Sequence, residues 1–199
     1  TSADASVSTV PPTIDNAGAR PAVVLIAGHD LKFLAPYIAD LEEQGHTVLI
    51  DQWAGHSGHD EEKSRSLLAQ ADVVWCEWGL GNAVWYSEHI TSSQRLVVRV
   101  HLQEIDLPYL RRINKDTVDA FVFVGELIRR SAIEGHEVPS DRSFVVPNFV
   151  RTDALARPKT EAAAHTLGLV GIVPQRKRLD LAVDLVEALR ENDSRYRLR

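Results

Sequence analysis

Five short stretches of this chain gather side chains that can do chemistry. The first is Arg95 to Glu104 (RLVVRVHLQE), where the apolar Leu96, Val97, Val98 and Val100 give way to His101, Gln103 and Glu104. An imidazole there can hydrogen-bond a sugar hydroxyl or share a proton in a transfer step. The same position also suits a histidine satisfied by backbone groups at a strand end. Arg99 falls on the opposite sheet face from Val98 and Val100, where Glu77 or Asp119 can pair with it.

Gly28-His29-Asp30 is the second stretch. A glycine there lets a phosphate or sugar approach the backbone at a helix N-terminus. The dinucleotide fingerprint G-x-G-x-x-G is absent, so an NAD or FAD site is not expected. Third, His56, His59, Asp60, Glu61 and Glu62 crowd together and invite a metal reading. They lack the His-x-x-x-His spacing of a helical metal site and any cysteine, so a solvated loop and helix start is the expected reading. Fourth, Glu77-Trp78, Trp85 and Tyr86 put aromatics near a strand end, suited equally to stacking on sugar rings and to core packing. Fifth, Gln175-Arg176-Lys177-Arg178 precedes a helix directly. Three bases oppose the dipole at a helix N-terminus, a conflict that a bound phosphate would resolve; a solvated basic turn is the alternative.

The elements that must position these groups are legible as apolar runs. Ala22 to Ala27, Thr47 to Ile50, Ala71 to Trp75, Arg95 to Val100, Val118 to Val124 and Ser143 to Val146 read as six strands. Between them, helices are expected over Leu31 to Leu41, after a polar loop Asp51 to His59 as far as about Gln70, and over Gly81 to Ile90, Asp106 to Ile113 and Glu126 to Glu134. Asp30 can cap the first, although Pro36 inside the pattern predicts a kink or a later start. Continuously apolar strands alternating with helices predict an α/β fold, a Rossmann-like parallel sheet with helices on both faces. Such sheets bind ligands outside the carboxyl ends of their strands. Residues 1–20, rich in Ser, Thr, Ala and Pro, read as a flexible tail or linker. The domain spans 21–151 and a connector 152–165. A new strand at Thr166 to Val173 and an amphipathic helix with Leu179, Ala182, Val183, Val186 and Leu189 on one face begin a second domain, 166–199, too short to close a core.

Bulk properties narrow the classes. The 199 residues are 44% hydrophobic, enough for a real core, and the net charge of −6 disfavours nucleic acid as a partner. The single Cys76 lies in an apolar strand and excludes an internal disulfide. No apolar run approaches a membrane span, and no secretory signal is visible. Met is absent even at the start, so the chain reads as a piece of something longer.

Taken in order, several segments resemble the N-terminal part of retaining GT-B glycosyltransferases of the large group called family 4. Gly45-His46-Thr47-Val48 is similar to the close of that family's opening unit, and Ala71-Asp72-Val73-Val74 to its "aDvV" strand. The strand ending at His101 resembles its "vxxH" strand. Phe123-Val124-Gly125-Glu126 is similar to "vSe", with Gly125 for Ser. Val145-Val146-Pro147-Asn148-Phe149-Val150 is similar to "vPNGVD", with Phe149 for Gly and Arg151 for Asp. Leu169 to Lys177 resembles the opening of the nucleotide-sugar domain, with Ile172 at an Arg position and Arg178 for the Gly after the Lys.

The resemblance implies a fragment of a transferase that moves a sugar from a nucleotide diphosphate sugar to an acceptor hydroxyl with retention, needing no metal or other cofactor. It places His101 beside the transferred sugar, with Glu104 orienting His101 or the acceptor. Lys177, helped by Arg176, would stabilise the leaving diphosphate. Gly28 and His29 would approach the phosphates, with Glu77 and Trp78 lining the site. Its partners would be the nucleotide sugar, a carbohydrate or lipid-linked acceptor and the remainder of the donor domain. The setting would be bacterial polysaccharide or cell-envelope synthesis, in the cytoplasm at the inner face of the membrane, with peripheral membrane association of the intact enzyme. The fragment itself is expected to be inactive, since half its donor site is missing. The alternative expectation is a non-catalytic α/β binding or scaffolding domain, and Ile172, Gly125 and Phe149 are the departures that favour it.

Overall fold

The apolar runs form strands β1 (Val23–Gly28), β2 (Thr47–Gln52), β3 (Val73–Glu77), β4 (Arg95–Val100), β5 (Ala120–Phe123) and β6 (Ser143–Val145). Helices α1 (Ala35–Glu43), α2 (Glu61–Leu68), α3 (Gly81–His89), α4 (Tyr109–Arg112) and α5 (Glu126–His136) alternate with them. The computed structural model describes residues 20–150, 152, 155–171 and 177–199. The expected tail (except Arg20), Arg151, Ile172 and Arg176 therefore lie outside the described residues. The chain divides into two units, one reaching to Phe149 and the other covering Val150–Arg199.

In the first unit the strands make one parallel sheet in the order β2-β1-β3-β4-β5-β6. This is the expected α/β, Rossmann-like architecture. Strand alternation divides the buried side chains between two faces. On one face Leu25, Ala27, Val74, Cys76, Leu96, Val98, Val100, Phe121 and Phe123 join the large core, closed by Ala83, Tyr86, Leu110 and Ala132 from α3, α4 and α5. On the other, Val24 and Ile26 pack with Leu34 and with Leu31, Tyr37, Ile38 and Leu41 around α1. That second cluster is small. The same face of β3 and β4 carries Glu77 and Arg99, paired in register and fully buried.

Local chemistry explains where the helices start and stop. Pro36 sits in the first turn of α1, where its missing N–H costs nothing, so the helix begins later instead of kinking. The expected Asp30 cap is not formed: Leu34 occupies the cap position, and the Asp30 carboxylate accepts from the backbone of Lys32. At the other end Gly45, at φ +87°, closes a Schellman turn in which Gly45 N–H donates to Glu42 and His46 N–H to Leu41. Asp60 caps α2 by accepting from Lys63 N–H at 3.1 Å. The single helix expected over Asp106 to Ile113 is instead a 3₁₀ turn, Gln103–Asp106, followed by α4. Pro108 between them has no N–H with which to continue the first piece.

The second unit contains a 3₁₀ turn (Glu161–His165), a parallel pair β7 (Thr166–Leu167) and β8 (Arg197–Leu198), and the helix Leu179–Asn192. The strand at Thr166 is shorter than expected, and Val173 lies outside the described residues. Along the helix, Leu179, Ala182, Val186 and Leu189 form the covered stripe, while Leu181, Val183 and Leu185 are exposed. No described helix is long and apolar enough to cross a membrane.

Candidate functional site

The chain leaves β1 toward β2 on one side and β3 toward β4 on the other. The crevice of an open α/β sheet opens at such a reversal, outside the carboxyl ends of the two strands. Gly28 ends β1 there and Glu77 ends β3. A Cβ at Gly28 would sit 2.7 Å from the Glu77 carbonyl oxygen, so only glycine allows this approach. The Asn82 amide fastens both ends, donating to the carbonyls of Ala27 at 2.8 Å and Glu77 at 3.0 Å.

The Glu77 carboxylate is the hub of the site. Its Oε1 accepts from Arg99 at 3.1 Å and from His101 Nε2 at 3.0 Å, and its Oε2 accepts from the Trp75 indole at 3.2 Å. Arg99 continues to Asn148 Oδ1 at 2.6 Å and lies over the Tyr37 ring. A carboxylate can only accept, so His101 carries a proton on Nε2, and in the neutral ring the lone pair is on Nδ1. Nδ1 has no partner among the described residues.

The imidazole packs against two rings that also adjoin each other: Trp78 stacks on it with centroids 4.0 Å apart, Phe33 lies at 5.4 Å, and Phe33 and Trp78 are 6.2 Å apart. Trp78 adopts φ +69°, a region bulky residues avoid. Its indole N–H donates to the Asp30 carbonyl at 2.8 Å, which helps to hold this backbone in place. His29 lies partly open beside Trp78, at 5.6 Å between centroids. Burial pushes the His29 pKa down, the nearby His56 adds to that, and Asp30 opposes it.

Glu104 does something different from orienting the His101 ring. Fully buried, its Oε1 accepts from the backbone N–H of His101 at 2.9 Å and of Gly79 at 3.1 Å, clamping the loops after β3 and β4 together. Burial raises its pKa, against the pull of those backbone donors, and Oε2 is buried with no partner.

The structure thus brings Gly28, His29, Glu77, Trp78 and His101 together at one strand-end cluster, with Glu104 behind it. Lys177 is exposed in the second unit. Tyr86 is fully buried and donates to Asp51 at 2.8 Å, so it serves the core. In the His56-to-Glu62 stretch, Asp60 is a helix cap, Glu61 pairs with Arg65 and His59 bonds Ser64. Among the described residues no group of three or more His, Cys, Asp or Glu is placed to hold a metal ion. Sequence reasoning missed Phe33, Tyr37 and the tie to Asn148; aromatic residues in a loop and a first helix carry no signal of what they face. No protein-family model matches the chain, and no curated protein matches it.

Proposed function

We propose that this chain is the acceptor-side domain of a retaining glycosyltransferase, with the opening elements of its donor domain, and that the His101 cluster faces the transferred sugar. The observation that carries this reading is the His101 ring, fixed in tautomer by Glu77 and in plane by Trp78 and Phe33 at the sheet's reversal point. In the neutral ring the lone pair on Nδ1 accepts from a sugar hydroxyl, beside aromatic rings of the kind that sugars stack on. Arg99 bonds the same Glu77 oxygen at 3.1 Å, so the carboxylate that orients the ring is itself held from a second side. The sequence resemblance of the chain's segments supports a nucleotide diphosphate sugar as donor. The assignment of Lys177 to the diphosphate rests on that resemblance alone.

Titrating the chain with UDP-glucose and GDP-mannose, while following the His101 and Trp78 ring resonances by NMR, tests the reading. Saturable shifts at both rings, abolished by His101→Ala, are the expected result. Shifts at neither ring with either nucleotide sugar would overturn it. In a chain that carries a whole donor domain, His101→Ala should lower turnover by about 100-fold or more. Residues 1–199 alone should turn over no nucleotide sugar.

A further inference from the structure

A second constellation sits one strand away and shares no residue with the His101 cluster. Asp51, buried near the end of β2, collects three donors on Oδ2: Trp53 Nε1 at 2.7 Å, Ser64 Oγ at 2.7 Å and Tyr86 Oη at 2.8 Å. Because Ser64 spends its only proton on Asp51, its oxygen must accept from His59 Nδ1, 2.8 Å away. The His59 proton is therefore on Nδ1 and the lone pair on Nε2, which has no partner among the described residues. Trp53 stacks on the imidazole at 3.8 Å and 8°, and the Trp85 ring meets it edge-on at 5.0 Å. Such a relay, anchored by three donors on Asp51 Oδ2 at its inner end, fixes one acceptor atom in one direction.

That imidazole lines a cavity of about 180 Å³ together with Trp53, Trp85, Glu88, Tyr109 and Arg112. At ~30 Å³ per water the space holds about six waters, well short of what a drug-sized ligand needs. It fits one ring. The faces of Trp53 and Trp85 are already taken by His59 and His89. What the pocket offers is a partly buried aromatic lining, with Tyr109, beside a carboxylate acceptor, a guanidinium donor and an oriented imidazole acceptor, the chemistry that recognises a ring bearing hydroxyls on its edge. Glu88 disfavours an anion, and three polar groups disfavour a bare hydrocarbon ring. Burial lowers the His59 pKa, against Asp51, Glu61 and Asp60 and with help from His89, which keeps Nε2 available as an acceptor at neutral pH.

We propose that this cavity is a binding site for a single hydroxylated ring, a monosaccharide or cyclitol, with His59 Nε2 accepting a hydrogen bond from one of its hydroxyls. The site stands whether or not the chain belongs to a transferase.

Titration with D-glucose, D-galactose, D-mannose, N-acetyl-D-glucosamine and myo-inositol, followed through the indole N–H resonances of Trp53 and Trp85, tests it. At least one probe should give saturable shifts in the millimolar range. His59→Ala should weaken that binding about tenfold. Glu88→Gln, an exposed change that leaves the melting temperature unaltered, should weaken it as well, and His101→Ala should leave it unchanged. No saturable shift with any probe up to about 100 mM would overturn the proposal. So would binding that survives both His59→Ala and Glu88→Gln, binding lost in His101→Ala, or equal binding of indole as an apolar control.

Discussion

At Gly28 a methyl group would meet the backbone carbonyl oxygen of Glu77 at 2.7 Å and the Leu31 side chain at 3.1 Å. Neither strand end can give way without breaking the Asn82 ties, so Gly28→Ala should cost about 1–3 kcal/mol, read as a lowered melting temperature. Arg99→Leu should be worse. It leaves the buried Glu77 without its cation, and about 3–5 kcal/mol of stability should be lost in a denaturant titration. The double variant Arg99→Leu with Glu77→Leu should lose less than that single change, because no buried charge is left unpaired. Glu104 makes a pH prediction. Its folded pKa is raised by burial, so the folded state holds the proton more tightly than the unfolded state does. Its contribution to stability is greatest below the ordinary carboxylate pKa of about 4.3 and falls as pH rises through the raised folded value. The melting temperature of the wild type relative to Glu104→Gln should therefore decline as pH rises from about 4 toward neutrality. At this scale the sequence exposed His101, Glu77 and the Arg99 partner, because a polar residue ending an apolar run is conspicuous. It hid the division of labour: Glu104 stands three residues from His101 but holds its peptide, not its ring.

Elements were readable where periodicity and punctuation agreed. Strand β4 spans Arg95–Val100 as expected, and α3 begins at Gly81 as expected. Ends that depend on competition were not. The start of α1 was decided by Pro36 over Asp30, and Pro108 broke one expected helix into two pieces. Asp51, expected to open a polar loop, instead remains in β2 and is buried, because Trp53, Ser64 and Tyr86 all donate to it. Tyr86→Phe removes one of those donors and should cost about 1–2 kcal/mol by chemical denaturation. The cap of α2 is more local. Asp60→Ala should cost about 1 kcal/mol, since Lys63 N–H loses its partner.

Across the whole molecule the buried apolar side chains are distributed unequally. Both core clusters lie before Phe149, while Val186 is the one buried hydrophobic residue of the second unit among the described residues. Residues 20–149 expressed alone should therefore unfold in one cooperative transition, with a melting temperature within about 5 °C of the full chain by calorimetry. A broad, non-cooperative melt would count against that. The α/β class was legible from alternating apolar runs. Strand order was not, because continuous apolarity marks a strand as covered on both faces without naming its neighbours. The reversal between β1 and β3, which locates the candidate site, emerges only from the pairing.

The buried Glu77 hub has a consequence for how this chain can diverge. Glu77, Arg99 and Glu104 are bonded inside the protein before any ligand arrives, and selection for folding alone is enough to preserve them. Phe33, partly open beside the His101 imidazole, and His29, partly open beside Trp78, are held by far less. In a lineage released from its ligand, drift should reach those two positions long before it reaches the hub. Persistence of the hub thus records ancestry, and the identities at Phe33 and His29 record use.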